Sequence, residues 1–271
     1  MIQMTLTAAD IRKELEKLGN PAKAEHHLKY FKTGPGEYGE GDIFIGVTVP
    51  EMRKISKKTH SAVSMKEVET LISSPIHEHR QTALFILVEK YNASTRKEVA
   101  AHSEKSVQKG ESAALLKQSL AEREEIMQFY LKHLIFVNNW DLVDSSASYI
   151  LGAWFLTSES ETFGKETLFT LSRSENLWAQ RVSVMTTHAF IKSGIYGPTL
   201  GLCEYFLPSK HDLMHKCTGW MLREIGKKDK SVLLEFLNRH SETMPRTMLR
   251  YSIEKMKPDE KEKYMIKGKR N

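Results

Sequence analysis

An all-α fold built of stacked helix pairs is predicted by three observations. Apolar residues recur at helical spacing along nearly all of the 271 residues. The helical stretches fall into pairs separated by short polar breaks. Polar residues heading successive second helices, Asp144, Arg181 and Lys216, stand 37 and 35 residues apart. That interval is the period of a HEAT-like two-helix repeat. Helix pairs of this size cannot hide their apolar faces alone, so they are expected to stack into a solenoid with a concave face. A plain irregular helical bundle is the alternative with the same periodicity. No linker marks a second domain, so residues 1–271 are expected to form one.

The stripes fix the elements. Ala83, Leu84, Leu87, Val88 and Tyr91 form one face, and Ile126, Met127, Tyr130, Leu131 and Leu134 another. Val143, Ala147, Ile150, Leu151 and Trp154 follow, then Cys217, Met221, Leu222 and Ile225. First members of the pairs are expected near 66–72, 122–135, 162–171, 199–206 and 231–237. Second members are expected near 80–91, 141–155, 178–192, 215–227 and 246–256.

One segment breaks the rule. Gly34-Pro35-Gly36-Glu37-Tyr38-Gly39-Glu40-Gly41 cannot continue a helix. Ile43, Ile45 and Val47 then alternate with Phe44, which suits a short strand. A β-hairpin or extended flap is therefore expected at about residues 30–48, inserted between helices.

Composition narrows the class. Hydrophobic residues make up 40% and charged residues 27%, an ordinary globular balance that excludes collagen, coiled-coil and disordered chains. Lys and Arg exceed Asp and Glu by 40 to 34, a net +6, with a pI near 9.1. An acidic partner such as nucleic acid or an anionic surface is favoured. Much of the excess is local, because Arg246–Asn271 holds nine basic against four acidic residues. A basic C-terminal tail is expected from about residue 257. The two cysteines, Cys203 and Cys217, allow at most one bridge, and a reducing, cytoplasmic setting is expected. Neither a signal peptide nor a membrane span is expected.

Several motifs dissolve on inspection. Gly34-Pro35-Gly36-Glu37-Tyr38-Gly39 matches the dinucleotide fingerprint in letters, but the strand-then-helix order that such a site needs is reversed. His211 and His215 have metal-pair spacing near Cys217, yet lack an activating Glu and a third ligand. No nucleophile elbow and no phosphate-loop lysine occurs. The informative group is Trp140, Asp144, Arg181 and Trp220. Trp140 and Asp144 stand four apart and share one helix edge beside the core stripe. Arg181 and Trp220 fall at related places in the next two repeats, so all four are expected to line one surface. The alternative is that each Trp fills core and Asp144 pairs with Arg181 as a structural salt bridge.

At these residues the chain resembles a known family. Asn139-Trp140-Asp141-Leu142-Val143-Asp144, Leu177-Trp178-Ala179-Gln180-Arg181 and Gly219-Trp220-Met221-Leu222-Arg223-Glu224 resemble the signature stretches of the AlkD-type DNA alkylation repair proteins. Tyr30 through Gly36, with Gly46-Val47-Thr48-Val49-Pro50, resembles the family's N-terminal segment. The resemblance implies a HEAT-like solenoid holding duplex DNA in its concave face. It implies a glycosylase that removes cationic N3- and N7-alkylpurines without metal or organic cofactor. Carried over, Asp144 is the catalytic carboxylate, Trp140 and Trp220 pack on deoxyribose and backbone, and Arg181 holds a phosphate. Lys216, Tyr30 and Lys32 join the expected DNA contacts. Duplex DNA with alkylated bases is the implied partner, and a monomer the expected state.

Thr48 stands where some members have Gln and receives no role. A branch of the same superfamily carries a protruding hairpin and binds branched DNA without excising bases. The expected hairpin therefore favours a junction binder, and the intact Trp140, Asp144, Arg181 and Trp220 set favours the enzyme. A protein–protein scaffold is a third reading.

Overall fold

The computed structural model describes residues 6–103, 109–157 and 161–267, which fall into two compact units divided between Ser146 and Ala147. The first unit contains α1 (Ala8–Leu18), α2 (Pro21–Tyr30), α3 (Val49–Thr59), α4 (Met65–Ile72), α5 (His77–Ser103), α6 (Lys109–Lys132), a 3₁₀ turn (Leu134–Phe136) and α7 (Trp140–Asp144). The second opens with a π turn (Ser148–Gly152). It continues with α8 (Glu161–Ser172), α9 (Leu177–Thr186), α10 (His188–Lys192), α11 (Gly197–Tyr205), α12 (Asp212–Lys228), α13 (Lys230–His240), α14 (Arg246–Ser252) and α15 (Pro258–Lys267). The expected basic tail is thus largely a helix, and its last residues, 268–271, lie outside the described residues.

Local chemistry sets the boundaries. Thr7 and Asp10 close a capping box on α1, and Thr48 and Glu51 another on α3, each satisfying first-turn N–H groups. Asn20, Asn139, Asn176 and Asp229 cap α2, α7, α9 and α13 through side-chain oxygens.

In the first unit α5 is the axle, packed by α3, α4 and α6. Twelve consecutive residues, His77–Val88, are buried, and the first six are polar. In the second unit α12 plays that part against α9, α11, α13 and α14. Its core joins Cys203, Leu222, Leu233, Phe236, Leu237, Met248 and Leu249. Both cysteines are buried and neither is in a disulfide.

The all-α expectation holds, and of the expected pairs α4 packs on α5, α8 on α9 and α11 on α12, whereas α14 packs chiefly on α12 rather than on its expected partner α13. The expected β-hairpin at 30–48 does not exist: the described residues contain no strand. Turns occupy 31–41, and Ile43 makes only an isolated parallel bridge to Ile76. The reason is where the backbone donors go. Glu78 takes the N–H groups of Ile45, Gly46 and Val47, which a second strand would have needed. Glu37 and Glu40 turn back onto the N–H groups of Gly34 and Gly36, closing the glycine loop on itself. The apolar set Ile43, Ile45 and Val47 does not form one buried face either, since Ile43 is about half exposed while Phe44 between them is buried.

Two helices expected to be continuous are interrupted. The stretch 141–155 breaks at Ser145–Ser146, where both hydroxyls bond back to the Leu142 carbonyl. Tyr130 holds Ser146 in place at 2.9 Å. The stretch 178–192 breaks at Thr187, whose hydroxyl bonds to the Val184 carbonyl at 2.7 Å.

Candidate functional site

Trp140 begins a five-residue helix and Asp144 ends it, one turn on. Leu142 and Val143 between them point into the core, while Trp140 and Asp144 are half-buried. The Trp140 ring lies on Phe31 (5.3 Å between centroids, 22° between planes) and meets the edge of Tyr30 (5.8 Å, 69°). Trp140 and Tyr30, singled out from sequence, are therefore brought together. Lys32 is exposed with φ 51°, an uncommon conformation for a residue with a Cβ. Its carbonyl accepts the Gly39 N–H at 3.1 Å, tying the glycine loop to the end of α2. Asp144 stands close enough to Tyr130 for its charge to be felt there. Burial pushes the Tyr130 phenol well above its usual range and Asp144 adds to that, against the hydrogen bond to Ser146.

Beneath the aromatic pair lies a buried polar network. His77 donates through Nδ1 to Asp42 (3.1 Å) and through Nε2 to Asp141 (2.8 Å). Arg80 forms a short ion pair with Asp42, Asn139 donates to Asp42 at 3.1 Å, and Gln81 donates to Asp141 at 3.0 Å. Burial alone would raise the Asp42 carboxyl, but the His77 hydrogen bond and the Arg80 charge hold it below its usual value. Burial likewise opposes charge on His77, yet the two carboxylates outweigh it and push its pKa up to about 9. Phe31 and Phe44 lie against the His77 ring at 5.1 and 4.6 Å.

In the second unit the expected residues gather along α12. Arg181 is buried, and its Nη1 donates to the Leu213 carbonyl in the first turn of that helix at 2.8 Å. Lys216 pairs with Asp212, one turn earlier, at 2.7 Å. Trp220, one turn later and half-buried, donates from Nε1 to Glu224 at 3.0 Å, with the His188 ring 6.0 Å away. Burial favours a neutral Glu224, but Lys227 and the indole N–H hold its pKa below the usual value. The histidines with metal-pair spacing have other duties: His211 caps α12, and His215 bonds to the Ser209 carbonyl at 2.6 Å.

Sequence reasoning missed the His77, Asp42 and Asp141 network altogether. Its only trace is the run His77-Glu78-His79-Arg80-Gln81-Thr82, which reads as an exposed polar helix start. A cavity of about 620 Å³ in the second unit holds none of the expected residues. Its walls, including Phe155, Leu168, Phe169, Phe190 and Tyr205, are mostly apolar and contain no carboxylate to face a developing cation or orient a water. No described helix is long and apolar enough to cross a membrane.

The chain matches the model of a family described as DNA alkylation repair enzyme over residues 11–256. No curated protein matches. Among solved structures, a "Predicted DNA alkylation repair enzyme from Enterococcus faecalis" is similar, with a TM-score of 0.60 at 16% identity. The likeness covers 89% of this chain and 97% of that one, and at such identity it speaks for the fold. The family match runs from within α1 to just past α14 and takes in every residue singled out above: this chain belongs to the DNA alkylation repair enzyme family.

Proposed function

We propose that this chain is a DNA glycosylase that hydrolyses the N-glycosidic bond of cationic N3- and N7-alkylated purines in duplex DNA. Family membership makes repair of alkylated DNA its work and DNA its partner. The observation that carries the finer reading is the braced Trp140 face with the Asp144 carboxylate one turn along the same short helix. A purine already bearing positive charge leaves without much help from an acid. The remaining barrier is the oxocarbenium character that develops at the sugar. A fixed carboxylate lowers it by electrostatics and by orienting the attacking water. An aromatic face attracts the same developing cation. Trp140 supplies that face and Asp144 the carboxylate. Lys216 and Trp220 in the second unit, with Tyr30 and Lys32 in the first, contact the DNA backbone, while Arg181, buried and donating to the Leu213 carbonyl, holds the start of the helix that carries Lys216 and Trp220.

The junction-binding alternative drew its support from a protruding hairpin. The segment 31–48 is instead a loop closed on its own carboxylates, so that support is gone.

The test is release of base from duplex containing 7-methylguanine. Wild-type protein releases it, and Asp144→Asn slows single-turnover release by about 100-fold or more while DNA affinity changes little. No release by stoichiometric wild-type protein, together with tight binding to three-way junctions, would return the reading to the binder. Release undiminished in Asp144→Asn would remove Asp144 from the chemistry.

A further inference from the structure

We propose that His77, as an imidazolium, is a positioning residue for the Trp140–Asp144 helix, clamping it to the loop before α3 through one carboxylate on each ring nitrogen. The inference rests on the reading of Trp140 and Asp144 as the reacting pair and deepens it.

The argument starts from donor count. Asp42 and Asp141 are acceptors, and they lie 3.1 and 2.8 Å from the two ring nitrogens. Both nitrogens must therefore carry hydrogen, which only the imidazolium does. A neutral ring has one N–H and would turn a lone pair on the other carboxylate. His77 is 1% exposed, so water cannot take over. Nor can the neighbours. Asp42 already receives Arg80 on one oxygen, with Asn139 beside His77 on the other. Asp141 receives Gln81 beside His77 on one oxygen and the Leu142 N–H on the other.

The charged and titratable groups around the ring come from each element packed there. Asp42 comes from the loop, Asp141 from α7, Glu78 and Arg80 from α5 and His27 from α2. Burial lowers the pKa of His27, with Glu78 opposing, so near neutral pH it brings little positive charge. The balance is three carboxylates against Arg80 and His77, and loss of the His77 proton leaves Arg80 alone.

Two routes carry the state of His77 to the site. Asp141 is the residue after Trp140 in the chain. Phe31 lies against His77 on one side and stacks on Trp140 at 5.3 Å on the other. Asp144 follows in the same helix, which at five residues is too short to hold its own geometry. Burial opposes the charge, but the carboxylates push the pKa up to about 9, so the clamp is closed at neutral pH and opens in alkali.

The test uses full-length protein labelled with 5-fluorotryptophan. Its four tryptophans give four fluorine resonances, and the Trp140 signal is the one lost in Trp140→Phe. Between pH 7 and about 10.5 that signal should move with a midpoint near 9. In the double variant His77→Gln with Asp141→Asn, the Gln amide donates to Asp42 and accepts from Asn, so no proton is needed and the movement should vanish. In parallel, His77→Gln alone should slow single-turnover base release by about tenfold or more at pH 7.5. The double variant should recover part of that rate and show no loss through pH 9. A Trp140 signal that stays still, or that moves alike in the double variant, overturns the proposal. Should His77→Gln not fold, the wild-type titration and the double variant decide by themselves. Absence of release by wild-type protein defeats the glycosylase reading alone, because the fluorine titration reads the clamp without turnover.

Discussion

Gly46 shows how a single residue holds the N-terminal loop beside the site. Its φ of +81° lies in the left-handed region, and a Cβ there would collide with the Asn20 carbonyl and the Ala24 N–H. The close approach lets α2 run against the loop whose amides Glu78 gathers. Gly46→Ala is expected to cost about 1–3 kcal/mol from the backbone strain alone, with the collision added. Urea unfolding followed by circular dichroism measures it, and an unchanged midpoint would mean the loop shifts freely. This position was legible only in part. The sequence shows a glycine after Ile45, but nothing in it announces that Asn20 stands opposite. The same holds for Asp42 and His77, which are 35 residues apart and meet only because the loop is drawn down onto α5.

Helices were the readable part, and so was the pairing of α4 with α5, α8 with α9 and α11 with α12, but not that of α14, which packs on α12. The periodicity of Leu84, Leu87, Val88 and Tyr91, or of Met221, Leu222 and Ile225, located α5 and α12, although α5 is buried on every side over His77–Val88 and only α12 turns a single apolar stripe to its neighbours. What periodicity cannot show is where a helix stops for reasons of hydrogen bonding. Ser145, Ser146 and Thr187 end helical runs by bonding to the preceding turn, and their apolar neighbours continue the stripe past the break. The expected strand failed for a related reason. Alternating Ile43, Ile45 and Val47 looked like a pleat, but the backbone donors there are satisfied by one buried carboxylate. Packing between elements gives its own prediction. Gly219 brings α12 onto α14, and a Cβ at that position would lie 2.5 Å from the Met248 carbonyl and 2.6 Å from the Tyr251 Cβ. Gly219→Ala should therefore overpack this contact and lower stability by about 1–3 kcal/mol. Thermal unfolding checks it, and a Tm within a degree of wild type would show that the two helices can slide apart at no cost.

At the scale of the molecule, two histidines in the first unit shape its response to pH. The folded pKa of His77 is raised to about 9 from 6.5, so its contribution is complete below about pH 6.5 and is lost as pH rises through 9. His79 is the reverse case. Burial, helped by the Arg12 and Arg80 cations, lowers its pKa to about 4, so its contribution is complete above about pH 6.5 and is lost as pH falls through 4. Each flank has a limiting slope of about 1.4 kcal/mol per pH unit. Stability of this unit should therefore peak near pH 6.5. Chemical denaturation from pH 4 to 10, followed through the fluorine signal of Trp140, tests the shape. A plateau extending unbroken to pH 9 would contradict the His77 flank. Neither flank was visible in the sequence, where the histidines other than His211 and His215 look scattered and alike. The charges around them in the core separate these two, carboxylates at His77 and the Arg12 and Arg80 cations near His79.

The brevity of the Trp140–Asp144 helix has a consequence for anyone who would move this chemistry elsewhere. Five residues inherit their posture from Phe31, Tyr30 and the carboxylates around His77. A graft of the tryptophan and the aspartate onto a longer, self-supporting helix would reproduce their spacing but not their aim. The smallest transplantable unit reaches from the loop around Asp42, through the start of α5, to Ser146.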